Sequence, residues 1–96
     1  MKKAMTEIES EHAAKYLVTL CRHFARKVSA DWDEKYGEVN FPAGTTKFAV
    51  NEEETALTIQ CEADSDEKLE IQKAIITGHV DLFSRREKIQ LNWTYA

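Results

Sequence analysis

Apolar residues recur at every third or fourth position between Glu11 and Ser29, and this spacing predicts a long amphipathic helix. The positions on its apolar face are Ala13, Leu17, Leu20, Cys21, Phe24 and Val28. Lys15, Arg22 and Arg26 fall on the opposite side. At about 1.5 Å per residue, such a helix is about 27 Å long and spans a small domain. Ser10 is suited to cap its first turn.

Alternation of apolar and polar residues predicts strands before and after this helix. Before it, a short strand from Lys3 to Glu9 is expected. The inward positions are Ala4, Thr6 and Ile8 in this strand, then Ala30, Trp32 and Tyr36, then Val39 and Phe41 in a short extension, then Phe48 and Val50, then Leu57, Ile59, Cys61 and Ala63, and finally Ile89, Leu91, Trp93 and Tyr95. Gly37 is expected to break the strand that contains Trp32, and Pro42 and Gly44 predict a turn.

A second helix is predicted between the last two strands. Asp64 with Glu67 three residues later matches a capping box at its start. The side chains expected on its apolar face are Ile75, Ile76, His79 and Phe83, with Leu69 and Leu82 at the margins.

Strands that are apolar on one side only are typical of an antiparallel sheet with one face in water. The predicted fold is therefore α+β and two-layered, with a mainly antiparallel sheet of about five strands and two helices on one face. The element order is β-α-β-β-β-α-β. A chain of 96 residues is expected to form one domain, residues 1–96.

Composition narrows the class of protein. Apolar residues make up 43% and charged residues 31%, as in ordinary soluble domains. The segment MKKAMTEIES lacks the apolar run of a secretory signal, and no stretch approaches the roughly 20 apolar residues of a membrane span. Cys21 and Cys61 lie on apolar faces, which favours buried free thiols. We therefore expect a cytoplasmic protein that is not bound to a membrane.

Charge is unevenly distributed along the chain. Residues 11–29 carry four basic side chains and one acidic side chain, a balance of +3, while the whole chain carries −4, so the rest carries −7. This acidic balance argues against nucleic acid as a partner. The basic helix face is interpreted as a solvated surface, with an anion-binding stripe as the alternative. Arg85, Arg86 and Lys88 are expected to offset the dipole of the second helix, or alternatively to bind an anion.

The histidines are the main candidates for chemistry. A stripe of His12, Tyr16, Thr19 and His23 borders the apolar helix face and is a candidate pocket wall. If the helices pack side by side, His23 approaches His79, and a cysteine could complete a metal site or a Cys-His pair. No HExxH, CxxC or HxH motif is present. A lone histidine on an apolar face is usually a core residue whose ring N–H meets a carbonyl or hydroxyl. No catalytic residue, metal ligand or cofactor is therefore assigned.

The segments AAKYLVTLCRHFARK and HVDLFSRRE, followed by an apolar strand that contains Trp93, resemble a family of small prokaryotic proteins, domain of unknown function 2218. The matching positions are Tyr16, Leu17, Leu20, Cys21, His23, Lys27, Gly37, His79, Asp81, Phe83, Arg86, Glu87 and Trp93. Leu82 and Arg85 depart from the pattern, which has a basic residue and an aromatic residue there. The resemblance brings no established activity. It implies an association with iron and siderophore metabolism, through members attached to flavin-dependent reductases.

Two functional hypotheses follow. The first is a small non-catalytic binding or accessory domain that acts through a modest pocket, a protein partner or self-association. Its candidate ligand-binding residues are His23, His79, Tyr16 and Arg86. The alternative is a small metal-handling protein or enzyme that uses His23, His79 and a cysteine.

Overall fold

The computed structural model describes residues 1–84, 87 and 89–95, in which a six-stranded sheet packs against two helices. The elements in chain order are β1 (Lys2–Glu9), α1 (Ala13–Phe24), β2 (Ser29–Trp32), β3 (Tyr36–Phe41), β4 (Gly44–Val50), β5 (Ala56–Ala63), α2 (Asp66–Phe83) and β6 (Thr94–Tyr95). The predicted α+β class is confirmed. The predicted strand count was one too low, because the short extension through Val39 is a full strand.

The strands are ordered β2-β3-β4-β5-β1-β6 across the sheet, and every neighbouring pair is antiparallel. β1 and β5 pair along their whole length, with Lys2 opposite Ala63 and Glu9 opposite Ala56. This pairing places the N-terminal strand beside the strand that precedes α2. α1 lies over β2 to β5, and α2 lies over β4, β5 and β1.

Alternate residues of the central strands are buried on one face only. In β1, Ala4, Thr6 and Ile8 are buried while Met5 and Glu7 are exposed. The buried side chains of α1 and α2 join the same hydrophobic cluster, so both helices cover this face. A fully buried leucine or isoleucine contributes about 1.5–3 kcal/mol through the hydrophobic effect, which makes this single core the main stabilising feature. The expectation of two layers is confirmed.

α1 is shorter than the sequence predicts, and it ends at Phe24. Ser29 already pairs with Asn40 in the β2–β3 ladder, so the chain must leave the helix before that residue. Val28 consequently lies outside the helix and is half-buried. The start also differs. His12 is the N-cap residue, and its backbone N–H donates to the Ser10 hydroxyl oxygen at 3.0 Å.

Gly37 does not break a strand, contrary to the prediction. It lies within β3, opposite Trp32 and Phe48. The break comes earlier, where the Asp33 carboxylate accepts the backbone N–H groups of Lys35 and Tyr36, each at 2.8 Å, and closes a turn. A Cβ at Gly37 would lie 2.7 Å from the Cys21 sulfur, so the glycine permits the close approach of α1 to the sheet.

The buried face of α2 is rotated from the predicted one. Ile76 is buried as predicted, whereas Ile75, His79 and Phe83 are half-buried. Its buried residues are Leu69, Gln72, Ile76 and Val80. Leu69 lies in the core rather than at the margin, and Leu82 is 49% exposed. The N-cap is Ser65, not Asp64, and its hydroxyl accepts the backbone N–H of Lys68 at 3.3 Å. The hydropathy pattern does not report this face because Gln72 is polar. Its burial depends on the hydrogen bonds of its side-chain amide.

The last predicted strand is reduced to Thr94 and Tyr95, which pair with Met5 and Ala4 of β1. Tyr95 is 60% exposed rather than inward-facing. The Lys73 ammonium lies 4.4 Å from the centroid of the Tyr95 ring and 5.8 Å from that of Trp93. These cation–π contacts attach the C-terminal segment to α2. Neither helix of the described residues is long and apolar enough to cross a membrane.

Candidate functional site

The Tyr16 groove lies where the first half of α1 faces the end of α2. Its volume is about 590 Å³. The residues that line it are His12, Lys15, Tyr16, Thr19, Leu82, Phe83, Ser84 and Glu87. Three of the four residues in the stripe predicted as a pocket wall are among them. Arg86, a candidate ligand-binding residue in the sequence analysis, lies outside the described residues.

One carboxylate in this groove is held by two hydroxyl groups. The Tyr16 hydroxyl donates a hydrogen bond to Glu87. The Ser10 hydroxyl donates to the same carboxylate at 2.8 Å. These bonds join the end of β1, the middle of α1 and the segment after α2. The Glu87 side chain is therefore oriented by groups that lie more than 70 positions away in the sequence.

The protonation states of this network follow from its contacts. Hydrogen bonds from Tyr16 and Ser10 hold the pKa of the Glu87 carboxyl below its usual range. Burial of Tyr16, reinforced by its hydrogen bond to Glu87 and by that carboxylate's charge, raises the pKa of the phenol to about 12. At neutral pH, Tyr16 is thus a hydrogen-bond donor and Glu87 an ionised acceptor. A carboxylate has about four lone-pair sites, so Glu87 retains capacity for a further donor.

The histidine pocket lies at the other end of the contact between α1 and α2, and its volume is about 320 Å³. Its lining residues are His23, Phe24, Arg26, Lys27, Val28, Phe41, Ile75 and His79. The ring centroids of His23 and His79 are 4.8 Å apart, so the two imidazoles meet as the side-by-side packing of the helices predicted. The Phe83 ring lines the Tyr16 groove and lies 5.5 Å from the His23 ring, so the two cavities are neighbours.

His79 has a backbone partner. Its Nδ1 atom lies 2.7 Å from the Ile75 carbonyl oxygen. Because a carbonyl can only accept, Nδ1 carries the proton, and Nε2 is the unprotonated nitrogen of the neutral ring. The half-buried ring is therefore satisfied by a carbonyl, as the sequence predicted for a histidine on an apolar face.

His23 lies in a positive environment. Partial burial, His79 and the cations Arg26 and Lys27 lower the pKa of His23, in that order of importance. The neutral imidazole is thus the main form at neutral pH, where the side chain remains accessible from the pocket.

The structure does not bring a cysteine into the histidine pair. The Cys61 sulfur lies 3.6 Å from the Thr46 hydroxyl, and Cys21 faces Gly37 of β3. Burial raises the pKa of Cys21 to about 12 and that of Cys61 to about 11, so both thiols are protonated at neutral pH. In the part of the chain that the structure describes, no three His, Cys, Asp or Glu side chains converge as metal ligands.

Sequence reasoning did not assign a site role to Ser10 or Glu87. Ser10 was interpreted only as a helix cap. Glu87 stands 71 positions from Tyr16 and 77 from Ser10, so no local spacing reports their contact. The one sequence feature that links Tyr16 to Glu87 is that both match positions of the same family pattern.

Fold and cavities together define a small two-layer α+β domain with ligand-sized clefts between its helices. The chain belongs to the family described as "Uncharacterized protein conserved in bacteria (DUF2218)", whose model matches residues 5–94. The resemblance noted in the sequence is thereby confirmed.

A solved structure described as "NMR structure of PA4090 from Pseudomonas aeruginosa" is similar to this chain. The TM-score is 0.80 at 16% sequence identity, over 98% of this chain and 96% of the other. At this identity, the likeness supports the fold alone. A search of the curated proteins gives no match.

Proposed function

We propose that this protein is a small non-catalytic binding domain whose ligand occupies the Tyr16 groove. The observation that carries the proposal is the Glu87 carboxylate, which Tyr16 and Ser10 orient at the edge of a cavity of about 590 Å³. Ligand sites are commonly clefts of roughly 300–1,000 Å³ in which a few fixed polar groups set specificity.

The lining favours a ligand that combines a hydrogen-bond donor with an apolar body. Glu87 offers a fixed anionic acceptor, while Leu82 and Phe83 supply apolar surface. Lys15 and His12 also line the groove, so the charged end of a cationic ligand is expected at Glu87. A small organic amine matches this arrangement, because its ammonium group can bind the carboxylate in a charge-assisted hydrogen bond.

The protonation states support binding rather than catalysis. With a pKa near 12, Tyr16 does not act as a base at neutral pH, since a general base needs a pKa near the working pH. The cysteine thiols are likewise poor nucleophiles, because the thiolate is the reactive form.

The probe for this proposal is 2-phenylethylamine, added to the ¹⁵N-labelled full chain at neutral pH. We expect saturable chemical-shift changes centred on Tyr16, Phe83 and Glu87. Glu87→Gln should weaken binding by about tenfold, because it removes the charge and keeps the shape. Glu52→Gln, which removes an exposed carboxylate in the turn before β5, is the matched control and should not change the affinity. Shifts spread over the surface, or equal binding by both variants, would contradict the proposal.

The link to iron and siderophore metabolism remains a proposal that rests on the family resemblance. The gallium(III) complex of a hydroxamate siderophore is a diamagnetic probe for the same experiment. Shifts confined to the contact between α1 and α2 would support the link. A spectrum unchanged at millimolar complex would argue against it.

We further propose that the domain works in the cytoplasm, either as a homo-oligomer or with a protein partner. Two buried, unpaired thiols, Cys21 and Cys61, support a reducing compartment. Light scattering of the purified chain measures its molar mass. A mass above that of one chain would support the homo-oligomer, and the mass of a monomer would support a different protein as the partner.

The alternative function, metal handling, draws on the His23–His79 pair alone. Calorimetric titration with Zn²⁺ tests it. Stoichiometric binding that His79→Gln abolishes would favour this alternative over the binding domain.

A further inference from the structure

The histidine pocket combines an apolar interior with a basic rim. The Phe24 ring meets those of Phe41 and His79 with centroid separations of 5.0 and 4.7 Å. Val28 and Ile75 add aliphatic surface. These side chains leave a volume of about 320 Å³, at the lower end of known ligand sites. One aromatic ring of a ligand would therefore be enclosed by other rings.

Every titratable side chain among the described residues of this pocket is basic. His23 belongs to α1, His79 to α2, and the exposed Arg26 and Lys27 to the turn after α1. Phe41 of β3 and Phe83 of α2, which complete the surroundings, are uncharged. A charged group that enters the pocket meets the positive potential of Arg26 and Lys27, so an anion is favoured over a cation.

Three of the last four carbonyl groups of α1 are hydrogen-bonded by the chain that follows the helix. The carbonyl oxygens of Cys21, His23 and Phe24 accept backbone N–H groups from residues 25–28 at 2.9–3.3 Å. These bonds satisfy the carbonyls that would otherwise repel an anion at a helix C-terminus. A divalent metal, by contrast, would meet two imidazoles and two cations, whereas zinc sites usually supply three or four protein ligands.

We propose that the histidine pocket binds a small organic anion with an apolar body, of the aromatic carboxylate class. The aromatic body packs on Phe24 and Phe41, and the carboxylate lies among His23, Arg26 and His79. This site is distinct from the Tyr16 groove. The ligand proposed for that groove is a cation, whereas the ligand proposed here is an anion.

Binding is coupled to proton uptake. Without the anion, partial burial and, to a smaller extent, the neighbouring positive charges lower the pKa of His23, so its imidazole is mainly neutral at pH 7. A bound carboxylate favours the charged ring, so the pKa of His23 rises in the complex. Affinity therefore increases as the pH falls through the range between the bound and free pKa values. Each unit of pKa difference corresponds to about a tenfold change in affinity.

The experiment uses phenylacetate and the isotope-labelled full chain, followed by NMR of the imidazole signals at pH 6 and pH 8. The probe is ionised at both values, so only the protein changes charge. We expect saturable shifts of the His23 and His79 rings and at least about threefold tighter binding at pH 6. At saturation, the His23 titration midpoint should move upward.

Two controls isolate the charge. 2-Phenylethylamine has the same ring with the opposite charge and should neither compete with phenylacetate nor raise the titration midpoint of His23. Arg26→Gln should weaken phenylacetate binding by about two- to fivefold, as expected for one partly solvated charge. Arg22→Gln removes an exposed cation of α1 outside the pocket and should have no effect. The proposal is overturned if phenylacetate shifts neither ring, if both probes bind alike, or if the affinity is the same at pH 6 and pH 8.

Discussion

Two polar hydrogen-bond networks contact the helical layer. One is closed, meaning that it is buried and its hydrogen-bonding groups are paired within the protein, and the other is open to solvent. In the first, Gln72 is fully buried; its side-chain oxygen accepts the Thr46 hydroxyl at 2.9 Å, and its nitrogen donates to the Glu62 carbonyl at 2.8 Å. In the second, Glu87 is exposed on one side and keeps acceptor capacity beyond its bonds to Tyr16 and Ser10.

The first network has the features of one that fixes the fold, whereas the second has those of the proposed ligand site. A buried network whose members are all satisfied gives α2 one position over β4 and β5, because any shift would leave polar groups without partners. Among the described residues, no buried side-chain nitrogen or oxygen atom lacks a partner. An oriented but incomplete network at a cleft is instead available to a ligand. The comparison predicts that changes in the first network affect stability and changes in the second affect binding.

The largest expected effect is that of Gly44→Ala. A Cβ at Gly44, whose φ is +155°, would lie 2.1 Å from the Glu62 carbonyl oxygen and 2.4 Å from the Gln72 side-chain nitrogen. The methyl group would displace the backbone on which the closed network depends. We expect a loss of about 3 kcal/mol or more in the free energy of unfolding, measured by urea denaturation. Gly78→Ala is the control, because no atom lies within 4 Å of its Cβ position and the helix gains propensity. A similar stability for both variants would contradict the argument.

Gln72→Leu should have the next largest effect. Leucine fills a similar volume, but the Glu62 carbonyl loses the Gln72 amide and the Thr46 hydroxyl keeps only its weak contact with the Cys61 sulfur at 3.6 Å. The expected destabilisation is about 1–3 kcal/mol in urea denaturation, the usual cost of an unsatisfied buried group. Gln60→Leu, on the open face of the sheet, should change the stability by less than about 0.5 kcal/mol. If Gln72→Leu were neutral, the network would not determine the position of α2.

The same contrast explains what the sequence could predict. Alternation in β1 and β5 identified Ala4, Ile8, Leu57 and Ile59 correctly, because residues of a one-sided sheet are buried at every second position. Those positions sufficed for the fold class and for placing both helices on one face. The approach of His23 to His79 followed from the helix phases.

Interactions between distant residues were not predictable in this way. The burial of Gln72 depends on Thr46 and Glu62, and the turn at Asp33 depends on side-chain hydrogen bonds that hydropathy does not report. The Tyr16–Glu87 contact joins residues brought together only by the completed fold. Sequence periodicity therefore located the helix that carries Tyr16 but not the partner that orients it.

Tyr16→Phe tests how much the open network contributes to stability. The variant loses one partly solvated hydrogen bond, so we expect about 0.5–1.5 kcal/mol of destabilisation in urea. Its pH dependence carries the sharper test. The folded pKa of Glu87 is depressed, so its contribution is present above the unfolded value of about 4.5 and is lost as the pH falls below it. In Tyr16→Phe, the free energy of unfolding should therefore decrease less between pH 4.5 and lower pH than it does in the wild type. Tyr36→Phe, at an exposed position, should keep the wild-type profile.

The smallest expected effect concerns His23, whose accessible ring lies beside the exposed cations Arg26 and Lys27. Its folded pKa is below the unfolded value of 6.5, so the unfolded chain takes up the proton more readily. The free energy of unfolding should therefore decrease as the pH falls from about 6.5 towards the folded pKa, and level off below it. His23→Gln should remove this decrease, whereas His12→Gln, at the exposed N-cap of α1, should retain it. Urea denaturation between pH 5 and pH 8 measures the difference. A decrease that persists in His23→Gln would show that burial and the neighbouring charges do not lower the pKa of this ring.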